Sequence, residues 1–288
     1  MAAITFVKSV ETRWAAWTRF AGSTQTRDHT VLICFGTIMV APLAMVFWGA
    51  GRPRGLSGKG EAWSFDGWIA NYAQLDELLR NTGAPELSGL IGSSLVLALA
   101  IAFVTTVAGF LAAFAMMILD NRVASACFWI TLTTLLFPIE ARMLSTFDVT
   151  AKLGMIGSWT GMVLPVLPLA LATLVFRQHF KNFPGELREA ARVDGAGPVL
   201  YLKDFAVPLS VAPLGAVFLI SFVYGWNQYL WPLLVSIDNV VYPLMRGLSL
   251  AGTGSGEGLV IATASMLPPL LLVLAFLRLL TRLTAIRG

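Results

Sequence analysis

Charged side chains are shut out of six long stretches of this chain, and that exclusion limits the fold more than any other feature. The uncharged runs are Thr30–Gly51, Leu87–Leu119, Val123–Ile139, Leu153–Phe176, Phe205–Ile237 and Gly258–Leu277. A bilayer core takes about 20 predominantly apolar residues per helix. Each run is long enough for one span, with Val123–Ile139 at the short limit. Leu87–Leu119 and Phe205–Ile237 exceed one span and leave room for tilted, re-entrant or interfacial portions. Only 12% of the 288 residues are charged, against roughly 25% in ordinary soluble domains. The expected architecture is an all-α integral membrane protein with six transmembrane helices.

Several runs contain prolines, among them Pro42, Pro138, Pro165, Pro168, Pro213, Pro232, Pro268 and Pro269. Neighbouring helices in a bundle can re-satisfy the carbonyls that proline frees. Kinks are therefore expected at some of these positions and span ends at others. Lysine and arginine set the orientation. With the N-terminus inside, the inner segments hold 13 of them and the outer segments 7. Both termini and the loop over residues 177–204 are accordingly expected in the cytoplasm. The net charge of +4 reflects this bias and gives no reason to invoke nucleic acid. The first run begins at Thr30 and reads as an uncleaved anchor rather than a signal peptide, with residues 1–29 as a cytoplasmic N-terminal segment.

The chemistry of the chain is sparse. Cys34 and Cys127 sit inside apolar runs and read as buried small hydrophobes, implying neither disulfide nor metal site. His29 and His179 lack any metal-ligand spacing and read as solvated surface residues. The nearest approach to a phosphate loop, Gly55-Leu56-Ser57-Gly58-Lys59-Gly60, fails: Gly60 follows the lysine where Ser or Thr is needed, and Pro53 stands at the first glycine. The Gly-rich run Ala251–Gly258 reads as a flexible outer loop. No catalytic residue or metal site is expected. A secondary carrier working alone would place ionisable groups at depth, and the runs exclude them.

The loop over 177–204 carries the clearest local design. Pro184 and Gly185 can open a helix, and Glu186 and Glu189 then lie toward its positive end. Leu187, Ala190 and Ala191 are spaced to share one face, small enough for another surface to approach closely. Asp194-Gly195 ends the helix, and Pro198 can begin a second one over Val199–Asp204. Spacing alone fits equally an amphipathic helix resting on lipid.

Glu189-Ala190-Ala191, with Gly195 after three further residues and Val207-Pro208 beyond, resembles the EAA motif of ABC importer permeases. The glutamate, both alanines, the glycine and the final proline keep the family spacing; Phe205 and Val207 replace Ile and Leu. Asp194, Ala196 and Pro213 are similar to the carbohydrate-uptake, maltose-type branch. The resemblance implies that this loop is a coupling helix docking on a separate ATPase, with Glu189, Ala190, Ala191, Asp194 and Gly195 at the interface. It further implies a homologous permease partner in a heterodimer, two ATPase subunits holding ATP and Mg, and an extracytoplasmic solute-binding protein. This chain itself would bind no cofactor and would sit in membrane lipid.

A second stretch, Tyr224-Gly225-Trp226-Asn227-Gln228-Tyr229-Leu230-Trp231-Pro232-Leu233-Leu234, is aromatic and amide-rich inside an apolar run. Such amides seek polar partners, in neighbouring helices or in a ligand. Aromatic residues stack on sugars but also form interfacial belts. Tyr224, Trp226, Asn227 and Gln228 are the substrate-pathway candidates. The stretch resembles the fifth span of maltose-type permeases, and within them most resembles second permease subunits serving sn-glycerol-3-phosphate importers. Phe137–Arg142 and Phe176–Phe180 support the same likeness. Glu140 and Arg142 lie just beyond the third run, where the cation could attract a phosphate or meet a binding-protein carboxylate, or an ion pair could fix the outer loop. The resemblance covers about residues 30–288 and implies inward transport of sn-glycerol-3-phosphate or glycerophosphodiesters by alternating access, with a neutral sugar or oligosaccharide as the alternative cargo.

Overall fold

The fold is taken from a computed structural model that describes residues 28–53, 62–236 and 241–285. The segment before residue 28 and the failed phosphate-loop match at residues 55–60 lie outside the described residues. Among the described residues all regular structure is helical. The first helix, α1 (Asp28–Ala50), is apolar and exposed along nearly all its length, with Gly49 and Ala50 buried at its end.

The axis of the bundle is α3 (Leu87–Leu119), one unbroken helix of 33 residues. At 1.5 Å per residue it measures about 50 Å, well beyond the ~30 Å hydrocarbon core. Its long run thus forms a single helix with no re-entrant part. Against α3 pack α7 (Leu169–Lys181) and α11 (Val211–Trp226). Small residues permit the approach. A Cβ placed on Gly225 of α11 would stand 3.0 Å from the Ala98 Cα of α3.

Three apolar clusters follow the length of α3. Leu97 and Ile101 join Met162, Val163, Trp231 and Val235 near its start. Leu90, Ala98 and Ala102 join Phe222, Trp226 and Ile261 on another side. Phe110, Ala113 and Phe114 near its end meet Phe176, Phe180, Ala191 and Tyr201. Phe110 sets its edge against the Phe176 ring at 5.1 Å between centroids, a favoured aromatic geometry.

Three helices are long and apolar enough to cross a membrane alone: α1, α3 and the Gly256–Arg278 part of α14 (Gly256–Ala285). Three further crossings are bent pairs, giving up to six. The third run forms α4 (Arg122–Thr133) with a 3-10 turn to Leu136, then turns through 111° at Pro138 into α5 (Ile139–Lys152). The fourth begins only at α6 (Trp159–Val163), passes a 3-10 turn over Leu164–Val166 and bends 50° into α7. The fifth joins the Pro198–Leu209 segment to α11 through a 76° bend, and past residues 227–229 the chain resumes as the short α12 (Leu230–Val235). Prolines mark the breaks at 138, 165 and 168, whereas Pro268 and Pro269 sit inside an unbroken α14.

Besides α5 and the helices of the loop over 177–204, two described helices lie outside the six apolar runs. The first is α2 (Phe65–Asn81), capped by Ser64, whose hydroxyl accepts from the Gly67 amide at 2.9 Å. Its buried Asn71 donates to the carbonyls of Ala50 and Arg52 at 2.9 and 2.8 Å and so ties α2 to the end of α1. The second is α13 (Leu244–Ala251), whose Arg246 lies over the Tyr242 ring and bonds the Ser236 hydroxyl. Burial pushes the Tyr242 phenol up, partly opposed by Arg246, so it stays protonated at physiological pH.

The Gly-rich run is no loose loop. Gly252 and Gly254 take φ of +81° and +93°, and Ser255 receives the Gly258 amide at 3.0 Å, making a tight turn into α14. Cys34 and Cys127 are exposed on helix surfaces, not buried, because neither faces the contacts of α3.

Candidate functional site

The EAA loop folds into α8 (Gly185–Val193), opened by Pro184 as the spacing predicts. Its end is closed by two bonds. The Gly195 amide donates to the Arg192 carbonyl at 3.1 Å and the Ala196 amide to the Ala191 carbonyl at 2.8 Å. This is a Schellman closure, which needs a left-handed residue; Gly195 has φ +76°.

The five candidate residues divide into two roles of exposure. Ala191 is 3% exposed and packs with Phe110, Phe180 and Tyr201. Glu189, Ala190, Asp194 and Gly195 face outward. The expected common face of Leu187, Ala190 and Ala191 is therefore split: Leu187 is half-buried and Ala190 exposed, since the bundle occupies the Ala191 side. Val193 and Val199, 87% and 79% exposed, place apolar surface beside the outward residues. Charge spacing gave no hint of these valines.

The second helix of the loop is longer than expected. It begins as α9 (Pro198–Tyr201), continues through a π-helical turn over Leu202–Ala206 and ends in α10 (Val207–Leu209). The composite Pro198–Leu209 segment then meets α11 at 76°, with Ser210 at the bend.

A second constellation lies between the broken third and fourth crossings. A cavity of about 590 Å³ is lined by residues of α4, the Phe137-Pro138 bend, Arg142 of α5, the Leu164–Ala170 break and Tyr224 of α11. An adjoining cavity of about 440 Å³ shares Arg142, Leu164 and Pro165. Among the described residues Arg142 is the one charged side chain on either wall. Thr131 and Thr134 add hydroxyls, which donate to the Cys127 and Thr131 carbonyls of their own helix. No single-sequence signal singles out these threonines. In so apolar a wall a guanidinium offers planar, fixed donors suited to an oxyanion.

The pathway candidates do not act as one group. Tyr224 reaches the cavity. Trp226 does not: it is 2% exposed and donates from its indole to the Ser265 carbonyl of α14 at 3.0 Å, a core role. The side-chain amides of Asn227 and Gln228 donate back to the preceding turn of their own segment, to the Val223 and Tyr224 carbonyls at 2.9 and 3.5 Å. Trp231 is also a core residue, its indole donating to the Gly161 carbonyl at 3.0 Å. Glu140 opens α5, and its side chain lies outside the described residues.

Residues 106–285 match the family described as binding-protein-dependent transport system inner membrane component. The sn-glycerol-3-phosphate transport system permease protein UgpE of Agrobacterium fabrum is 40% identical over 217 residues, covering 73% of this chain and 77% of that protein. Its namesake in Brucella melitensis is 40% identical over 198 residues, 67% and 70% of the two chains. That of Pectobacterium atrosepticum is 41% identical over 192 residues, 65% and 68%. A solved bacterial ABC transporter involved in the import of the acidic polysaccharide alginate shares the fold, with a TM-score of 0.69 at 18% identity over 88% of this chain and 94% of that one.

Proposed function

The chain belongs to the binding-protein-dependent transport system inner membrane components, and from that premise we propose that it carries sn-glycerol-3-phosphate inward as one half of an importer's pathway. It is a multi-pass transport permease subunit, not an enzyme. Its partners in this reading are a homologous permease, two ATPase subunits that hold ATP and Mg, and an extracytoplasmic solute-binding protein. Both termini and α8 face the cytoplasm, in keeping with the lysine and arginine bias.

The cargo reading follows the relatives named above, and one geometric observation carries it. Arg142 is the lone charge among the described residues of an apolar cavity that also meets Tyr224. A phosphate ester carries a compact oxyanion that a guanidinium can bind bidentately, and a neutral sugar has no such group. Glycerophosphodiesters keep one phosphate anion and fall in the same class.

Energy enters at α8. Glu189, Ala190, Asp194 and Gly195, with Val193 and Val199, form the docking face for the ATPase. Ala191 locks that face to the bundle. Alternating access then follows as ATP-driven closure of the ATPase pair moves α8 and the crossings behind it.

The test is ATP-dependent uptake in cells lacking and then regaining this chain. Labelled sn-glycerol-3-phosphate and a labelled maltose-type sugar are offered in parallel. Restored uptake of the phosphate ester alone supports the reading. Restored uptake of the sugar alone sinks the cargo and keeps the permease.

A further inference from the structure

A third cavity, of about 240 Å³, lies behind α8, between the ends of α3 and α7. Three basic side chains line it: Arg177 and Lys181 of α7 and Arg188 of α8. Asp120, just past the end of α3, is its one carboxylate among the described residues. Ion pairs such as Arg80–Asp76 and Lys152–Asp148 lie elsewhere. Arg177 is held in place by the Phe128 ring, 3.8 Å beneath its guanidinium carbon. Stacking of this kind uses the flat face and leaves the in-plane N–H donors for a ligand. Arg177 and Lys181 are one helical turn apart, a like-charge spacing that disfavours the helix unless an anion stands between them.

The remaining wall is apolar, including Met116 and Met117 of α3. The uncharged part of α7 ends at Phe176, so the cations stand just where an apolar segment gives way to polar surface. Basic pockets between crossings at the cytoplasmic side suit phosphate headgroups. We propose that this cavity holds the phosphate group of an acidic phospholipid, clamped between α7 and α8. The ligand would fasten α8 to the bundle from the side opposite its outward face. The choice of leaflet rests on the orientation given above, whereas the site itself does not depend on the cargo.

The experiment uses the whole importer, purified and exchanged into nanodiscs of phosphatidylcholine with or without phosphatidylglycerol. Native mass spectrometry counts the acidic lipid retained, with no cargo present. Wild type retains phosphatidylglycerol, and Lys181→Gln with Arg188→Gln lowers its affinity by about tenfold or more. Arg122→Gln, a cation off the cavity wall, retains it. Stimulation of ATP hydrolysis by phosphatidylglycerol is lost in the double variant alone. If inorganic phosphate added to the neutral discs reproduces that stimulation in wild type only, the phosphate site stands and its occupant is soluble. Equal retention by wild type and the double variant overturns the proposal. So does equal loss in Arg122→Gln, or loss of the ATPase subunits from the double variant, which would assign the cations to that subunit.

Discussion

The Ala196 amide meets the Ala191 carbonyl at 2.8 Å, and this single bond joins the closed end of α8 to its one buried residue. Gly195 stands inside that closure at φ +76°. Left-handed backbone costs an ordinary residue roughly 1–2 kcal/mol, and proline also lacks the donor. Gly195→Pro is expected to abolish uptake while the protein remains in the membrane. Gly195→Asn, which tolerates the conformation, should keep most of it. Uptake assays beside immunoblots of membrane fractions measure both.

Glu189 is exposed and outside the packed clusters. Reversing it should leave stability nearly unchanged, within about 0.5 kcal/mol, as for most surface substitutions. Glu189→Lys is nonetheless expected to abolish uptake. An unchanged melting temperature with normal transport would remove Glu189 from the docking face.

Arg142→Gln removes the only charge among the described residues of the cavity walls. Hydrogen bonds to charged groups contribute about 1.5–3 kcal/mol, so half-saturation for sn-glycerol-3-phosphate should rise about tenfold or more. Arg142→Lys keeps the charge without the planar fork and should fall between. Transport titrations at fixed expression decide this.

Trp231→Phe deletes the indole donor to the buried Gly161 carbonyl. An orphaned buried acceptor costs about 1–3 kcal/mol. The apparent melting temperature in detergent should fall, while Tyr229→Phe, at a 44% exposed position, should not lower it.

Two glycines of α3 should respond in opposite directions. A Cβ on Gly92 would meet nothing within 4 Å, and one on Gly109 would stand 3.2 Å from the Ala172 backbone of α7. Ala in place of Gly favours a helix by up to about 1 kcal/mol. Gly92→Ala should therefore be neutral or stabilising, and Gly109→Ala destabilising, as read by thermal unfolding of the purified importer.

The spans were legible because lipid tolerates so few charges: all six uncharged runs map onto crossings or bent crossings. The closure at Asp194-Gly195 was also legible, since a left-handed cap leaves a glycine behind. The breaks were not. Pro138 turns the chain through 111°, yet Pro268 and Pro269 leave α14 unbroken, and only the neighbouring helices distinguish the cases. Charges at Asp66, Asp76, Glu77 and Arg80 hid α2 from a search for uncharged runs, although Ser64 and the buried Asn71, Leu75 and Leu79 carried a helical pattern. The aromatic–amide stretch read as one functional surface. Packing separated it, because Trp226 had an indole partner in α14 and Tyr224 pointed the other way, to the cavity.

The 76° angle at Ser210 makes the Pro198–Leu209 segment and α11 the two arms of a bell crank. A straight rod pushed at one end must slide along its own axis, dragging every side chain through the lipid boundary. A crank instead turns the stroke through its corner. A sideways nudge on the short arm beside α8 reaches α11 as tilt, so the long arm can swing while its depth in the bilayer stays fixed.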